Sequence, residues 1–183
     1  MRDKAVLVLL VALVMVTGGC TITHKFGPFS GKVVEAESGK PIEGAVVLIA
    51  FYTKGFSVGG PVYRFADAVE TLTDAKGDFH FPPRRVTLYR SMSIWDNECR
   101  ISIFKPGYGA YPKNSRTFSV PNLEQSRFIP ENERIIFHLP KLLTLEEKKE
   151  NLYKVENPAG IPNDKMQNLR RLEDEERVSV GID

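Results

Sequence analysis

The chain has 183 residues, of which 42% are apolar and 26% charged, and a net charge of +2. These values fit one folded domain with extensions and exclude wholesale disorder. Arg2, Asp3 and Lys4 together contribute +1 of that charge, so the chain beyond residue 19 is nearly neutral and nothing in it argues for nucleic acid as a partner.

Residues 1–19 have a short charged start, an apolar run from Ala5 to Val16 and then small residues, which is the layout of a secretory signal peptide. The ending Val16-Thr17-Gly18-Gly19-Cys20 resembles the lipobox of bacterial lipoproteins, with Thr17 standing where leucine is usual. The resemblance implies that Cys20 becomes an acylated N-terminus, that the membrane is a partner through it, and that the protein belongs to the bacterial cell envelope. In a bacterium with two membranes, Thr21 rather than Asp after the cysteine resembles outer-membrane sorting, which implies a domain facing the periplasm or the surface. Several acyl chains give durable anchoring, because each buried CH₂ contributes about 0.8 kcal/mol and one chain alone is marginal. The competing reading is an uncleaved anchor, since Ala5 to Thr23 carries no charge and a spanning helix needs roughly 17–25 residues.

Residues 20–28 are read as a tether, because Gly27-Pro28 interrupts them and no apolar periodicity is evident. Val33-Val34 marks the first strand, Ser38-Gly39-Lys40-Pro41 turns the chain, and Ala45 to Phe51 is a continuous apolar run. Its β-branched content predicts a strand covered on both faces, a short buried helix being the alternative. Thr53 to Ala68 reads as a long aromatic-bearing loop. Val69 to Pro82 predicts a second hairpin around Asp74-Ala75-Lys76-Gly77. Further strands are predicted at Val86 to Ile94, Ile101 to Phe104, Thr117 to Val120 and Arg134 to Leu139, with turns at Trp95-Asp96-Asn97-Glu98 and Lys105-Pro106-Gly107-Tyr108-Gly109.

Beyond Pro140 the pattern becomes helical. Thr144 and Glu147 form a capping-box signature for a helix to about Val155, and a second helix starts near Pro162-Asn163 with Met166, Leu169 and Leu172 on one stripe. Both stripes are thin, so these helices are expected to dock on the sheets or on a partner.

Four blocks carry a family resemblance: Gly31-Lys32-Val33-Val34; Gly39-Lys40-Pro41-Ile42-Glu43-Gly44-Ala45-Val46-Val47; Thr73-Asp74-Ala75-Lys76-Gly77-Asp78-Phe79; and Lys105-Pro106-Gly107-Tyr108. In order and spacing they resemble the carboxypeptidase regulatory-like family over residues 29–141. The resemblance implies an all-β, seven-stranded Greek-key transthyretin-like β-sandwich, here with a C-terminal two-helix extension over residues 142–183, and it implies no activity. Relatives use such domains beside metallocarboxypeptidases, on outer-membrane receptors, or in surface lipoproteins and adhesins; the lipobox points to the last use.

Catalytic and metal chemistry finds little support in the residue pattern. His24, His80 and His138 lack a glutamate at zinc-ligand spacing. Asp74 and Asp78 flank a turn, which falls short of the roughly 6–8 oxygens calcium takes. Tyr89-Arg90-Ser91 is similar to part of the tail signature of hydroxyisourate hydrolases but stands mid-chain, and Ser57-Val58-Gly59-Gly60 is no nucleophile elbow. The chain is therefore expected to be non-enzymatic and without a cofactor or metal. The expected function is an envelope lipoprotein whose sandwich binds a partner protein or glycan, the alternatives being a structural accessory acting through its C-terminal helices and an undetected hydrolase. Phe56, Tyr63, Phe65, Trp95, Tyr108 and Tyr111 are the candidate partner-binding residues, because loop aromatics supply contact area at low entropic cost. Arg84, Arg85, Arg90 and Arg100 form a basic cluster that could meet anionic lipid heads or an acidic polysaccharide, or could be a solvated face balanced by Asp96 and Glu98. Cys99, the thiol left after lipidation, is expected to be buried.

Overall fold

The computed structural model describes residues 21–90, 93–96, 98–123, 128–155 and 160–182, so the leader, Cys20 and Asn97 lie outside it. Among the described residues ten strands precede two helices. They are β1 (Thr21–Phe26), β2 (Phe29–Glu35), β3 (Val46–Ser57), β4 (Gly60–Leu72), β5 (Asp78–Phe81), β6 (Arg84–Tyr89), β7 (Ser93–Trp95), β8 (Arg100–Phe104), β9 (Phe118–Val120), β10 (Arg134–Leu139), α1 (Leu145–Lys154) and α2 (Gln167–Ser179). A short 3₁₀ turn, Asn163–Lys165, precedes α2.

One sheet runs β5-β2-β10-β9, with β2 and β10 parallel. The other is built on β3, which pairs β4 along one edge and β8 then β7 along the other; β1 and β6 form a separate antiparallel ribbon. Val33, Phe79, Ile135 and Phe137 of the first sheet share one buried cluster with Val47, Ile49, Phe51 and Ile101 of the second. The architecture is thus predominantly β and sandwich-like, with both helices at the C-terminal end.

β3 explains its own composition. Alternation along a strand sends Ala45, Val47, Ile49 and Phe51 into that cluster. It sends Val46, Leu48, Ala50 and Tyr52 to the opposite face, where Leu152, Ile161, Met166, Leu169, Leu172 and Val180 form a second cluster with them. The unbroken apolar run is a strand between two cores, and the thin helical stripes close the outer one. Polar contacts fasten the same joint. Glu70 on β4 accepts hydrogen bonds from the Asn168 and Leu169 N–H groups at the start of α2, at 2.6 and 3.1 Å. Asp67 pairs with Arg84 at 2.7 Å and with Lys165 at 2.9 Å. Asn151 of α1 accepts from the Ala110 N–H and donates to the Tyr108 carbonyl. The helix cap forms as the sequence predicts: Thr144 Oγ1 accepts from Glu147 N, and Glu147 Oε2 accepts from Thr144 N.

Several expectations need correction. Residues 21–26 form a strand rather than a tether, paired from Thr21↔Tyr89 to Phe26↔Arg84. Residues 53–68 are not a loop: β3 and β4 stay in register out to Ser57↔Gly60, with one bulge beside Phe51 and Tyr52. The predicted strand 86–94 ends at Tyr89, because Arg90 turns aside to bond Thr53 and Phe65, and Trp95 belongs to β7 instead of a turn. Among the described residues there are thus ten strands, counting β1 and β6 of the separate ribbon and the short β7, where the family resemblance implies seven. Neither predicted hairpin is one. β2 and β3 lie in different sheets, as do β4 and β5, so the turns at 36–44 and 74–77 carry the chain from sheet to sheet. The two connections hold each other: Thr73 Oγ1 accepts from Ala45 N and donates to the Ile42 carbonyl, and Val33 N donates to the Gly77 carbonyl. Gly77 has φ of +75°, and a Cβ there would stand 2.4 Å from the Val33 oxygen, so glycine is required on both counts.

Candidate functional site

The feature that stands out from the sandwich-like body is the far half of the β3–β4 hairpin. Beyond Thr53 its only further pairing among the described residues is to the short β7, at Thr53↔Trp95, Lys54↔Ile94 and Gly55↔Ser93. The last pairs, Phe56↔Pro61 and Ser57↔Gly60, project past β7, and Ser57 Oγ closes the two-residue turn by donating to the Gly60 carbonyl at 2.9 Å. The arm carries the strand-favouring residues Val62, Tyr63 and Phe65, and Phe65 faces Tyr52 across the ladder.

Alternation puts Lys54, Phe56, Tyr63 and Phe65 on the face that carries Tyr52 and, on β8, Arg100. The Arg100 guanidinium lies over the Tyr52 ring at 4.5 Å and the Tyr63 ring at 5.4 Å, and the Lys54 ammonium lies 5.9 Å from the Tyr63 centroid. The cations hold the Tyr63 ring in place while leaving it 45% exposed; the Tyr52 ring beneath Arg100 is buried in the second core. From Thr53 to Ala66 the arm carries Lys54 and Arg64 and no carboxylate. At its root, Arg90 donates to Thr53 Oγ1 at 2.6 Å and to the Phe65 carbonyl at 3.2 Å.

The six candidate aromatics do not form one site. Phe56 is 76% exposed and Tyr63 45%, both on the arm. Phe65 and Trp95 are half-buried at its root, Phe65 edge-on to Tyr52 at 6.3 Å and Trp95 edge-on to Phe26 at 5.3 Å. Tyr108 and Tyr111 sit near the other end of β3, since Tyr111 bridges Ile103, the partner of Val47. Tyr111 is buried against Phe137 at 4.9 Å and cannot meet a partner; Tyr108 is half-buried on the same core. A large ring closing the sandwich end is the physical reason for both.

The basic cluster also disperses. Arg84 is committed to Asp67, Arg90 to the arm root and Arg100 to the tyrosines, which leaves Arg85 exposed. Burial pushes the Asp67 carboxyl up, yet the Lys165 and Arg84 contacts outweigh it and hold the group below its ordinary range. Arg84 and Arg85 edge a cavity of about 300 Å³ floored by Phe29, Phe51, Val69 and Phe81.

The histidines lie apart. His24 is beside Phe26 at 4.4 Å, His80 is exposed on β5, and His138 stacks on Phe118 at 4.2 Å, where burial lowers its pKa. Asp74 Oδ1 accepts from the Lys76 and Asp78 N–H groups and Asp78 pairs with Arg134, so those carboxylates serve the turn. No three His, Cys, Asp or Glu side chains gather as a metal-ligand set among the described residues. Cys99 is buried; desolvation, then the nearby Glu131 and Asp96 charges, push its thiol far above the usual value.

Comparison with protein-family models, with curated proteins and with solved structures found no match to this chain. The strand β1 was the main element missed in the sequence. Its signal was present in the alternation Thr21-Ile22-Thr23-His24-Lys25-Phe26, which places Ile22, His24 and Phe26 inward.

Proposed function

We propose that the protein is a non-enzymatic lipoprotein of a bacterial envelope, acylated at Cys20, whose sandwich-like domain stands directly on the membrane and binds a protein or glycan there. The observation that carries this reading is the absence of slack at the lipidation site. Thr21, one residue beyond Cys20, is already paired with Tyr89, and Thr23 and Thr87 share a hydrogen bond of 3.0 Å across the same ribbon. A lipid on Cys20 therefore fixes the Thr21 end of the domain at the bilayer. The opposite end, with the turns at 36–44, 74–77 and 105–109, then faces the partner. In sequence, we read the finer fold as transthyretin-like; the four family blocks falling on β2, on the two sheet-to-sheet connections and on the turn after β8 support it.

The accessory-subunit alternative is less favoured, because Leu152, Leu169, Leu172 and Val180 turn their apolar faces onto β3 and β4. Removing residues 142–183 would expose that sheet face, so such a deletion unfolds the domain instead of merely releasing a partner. Intact mass of the protein extracted from membranes tests the proposal. A chain beginning at Cys20 with added acyl mass supports it, and a chain beginning elsewhere without lipid contradicts it.

A further inference from the structure

The arm and the N-terminus reach the same end of the molecule. The Phe26 ring lies 4.5 Å from Phe51, and the His24 ring lies 6.1 Å from Trp95, whose strand pairs with Thr53. Running back from Phe26 to Thr21, β1 therefore advances in the direction β3 takes from Phe51 to Ser57. The Thr21–Tyr89 pair lies close to the arm's root, since Arg90, next to Tyr89, bonds Thr53 Oγ1 and the Phe65 carbonyl. From there the four steps from Thr53 to Ser57 carry the turn at Val58 and Gly59 roughly 13 Å further out in the same direction, at about 3.3 Å per residue.

Exposed apolar side chains collect at this end: Phe56 at 76%, Val58 fully out, Tyr89 at 83%, Ile94 at 56% and Tyr63 at 45%. Lys54 and Arg64 lie beside and just behind Tyr63 on the arm, and no carboxylate lies between Thr53 and Ala66; at the root Arg90 and Arg100 are engaged with Thr53, Phe65 and the tyrosines, and Asp96 stands beside Tyr52. An apolar tip, with Tyr63 and Lys54 level with each other behind it and Arg64 one step further back, matches the layering of a bilayer surface from acyl boundary to headgroups. The positive charge selects anionic headgroups.

We propose that the β3–β4 arm is a second membrane contact, which places Phe56 and Val58 in the interface of an anionic phospholipid bilayer with Tyr63 and Tyr89 at headgroup level. The occupant is the bilayer itself, on two grounds: charge complementarity, and the apolar leader and Cys20 immediately preceding Thr21 at this same end. The inference rests on the membrane-anchored reading for its orientation. The arm sets the tilt of the domain, since one anchor at Thr21 and a second at Val58 define a line on the membrane instead of a pivot.

The test is nitroxide labelling of the full chain in vesicles of phosphatidylglycerol and phosphatidylethanolamine, at Phe56→Cys, Val58→Cys and, for comparison, Leu143→Cys. Leu143 is 81% exposed beside α1, and the buried Cys99 does not compete for label. The expected result is a ratio of oxygen to aqueous nickel relaxation several-fold higher at 56 and 58 than at 143, falling when phosphatidylglycerol is omitted. Water-like values at 56 and 58 overturn the proposal. Shielding from both oxygen and nickel also overturns it, because that pattern marks contact with protein. Intact mass of the same preparation reports the anchor separately: a lipidated Cys20 has no thiol to label, and with exposed labels at 56 and 58 it removes the arm alone, whereas an unlipidated chain is labelled on a Cys20→Ser background, where buried labels leave the arm standing.

Discussion

Replacing Glu70 by alanine removes the side chain that caps α2 from a neighbouring strand. The residue before the helix, Met166, offers no side-chain cap, so the Glu70 carboxylate satisfies the Asn168 and Leu169 N–H groups in its stead. Loss of an ordinary N-cap costs about 0.5–2 kcal/mol. Hydrogen bonds to a charged acceptor contribute about 1.5–3 kcal/mol, and the carboxylate also complements the helix dipole by about 0.3–1 kcal/mol. Glu70 is half-buried and Leu169 is 1% exposed, so water replaces the lost acceptor poorly. The expected cost of Glu70→Ala is about 2–3 kcal/mol, and of Glu70→Gln about 1 kcal/mol, because the amide keeps one oxygen acceptor without the charge. Urea unfolding followed by Trp95 emission measures both. With a slope of about 2 kcal/mol/M, the alanine variant shifts the midpoint by roughly 1 M. A shift under about 0.2 M, or equal shifts for the two variants, would refute the claim that this carboxylate joins the helix to the sheet.

Asp67→Asn should weaken the joint by about 1–2 kcal/mol near neutral pH, a figure discounted because Arg84 and Lys165 are partly exposed. The folded pKa of Asp67 is depressed, so its contribution is full above the unfolded value of about 3.9 and is lost as pH falls through the folded one. A stability profile against pH should show that acid loss in the parent and lack this component of it in the variant. Gly77→Ala should cost more than about 2 kcal/mol, since left-handed backbone alone costs roughly 1–2 kcal/mol and the new methyl meets the Val33 carbonyl. Gly39→Ala, with φ of +70° and open space around it, should cost only about 1 kcal/mol in the same unfolding assay. Cys99 should resist maleimide at pH 8 in the folded chain and react once urea unfolds it; fast labelling of the native protein would show that the site is not closed.

What the sequence disclosed depended on whether a signal was local. Thr144 and Glu147 cap a helix through contacts three residues apart, and the cap formed as read. The Ala45 to Phe51 run disclosed burial on both faces, and the stripe of Met166, Leu169 and Leu172 supplied the cover for one of them. The turns at Ser38-Gly39 and Asp74–Gly77 were placed correctly but misread as hairpins. The same glycine and aspartate chemistry reverses a chain within one sheet or hands it to the facing sheet, and only tertiary pairing decides between them. Thr53 to Ala68 looked like a loop because Gly55, Gly59, Gly60 and Pro61 punctuate it. Two of these glycines lie in or beside the tip turn, and Pro61 sits on a strand whose outer edge is free, where a missing N–H does no harm. Of the candidate aromatics, exposure separated Phe56 and Tyr63 from Tyr111, and exposure follows from packing that no spacing rule encodes.

The claim that the domain stands on the bilayer by its Thr21 end is tested most directly by energy transfer to an acceptor lipid. Donor dyes would be placed at Tyr89→Cys or Lys40→Cys in the full chain on vesicles. Lys40 lies in the connection preceding β3, and Tyr89 lies beside Thr21 and next to Arg90, which bonds Thr53, so the seven steps from Val46 to Thr53 separate the two levels by roughly 20–25 Å at about 3.3 Å each. Strong transfer from position 89 and weak transfer from position 40 is the predicted result. Equal transfer from both, or stronger transfer from position 40, would contradict it.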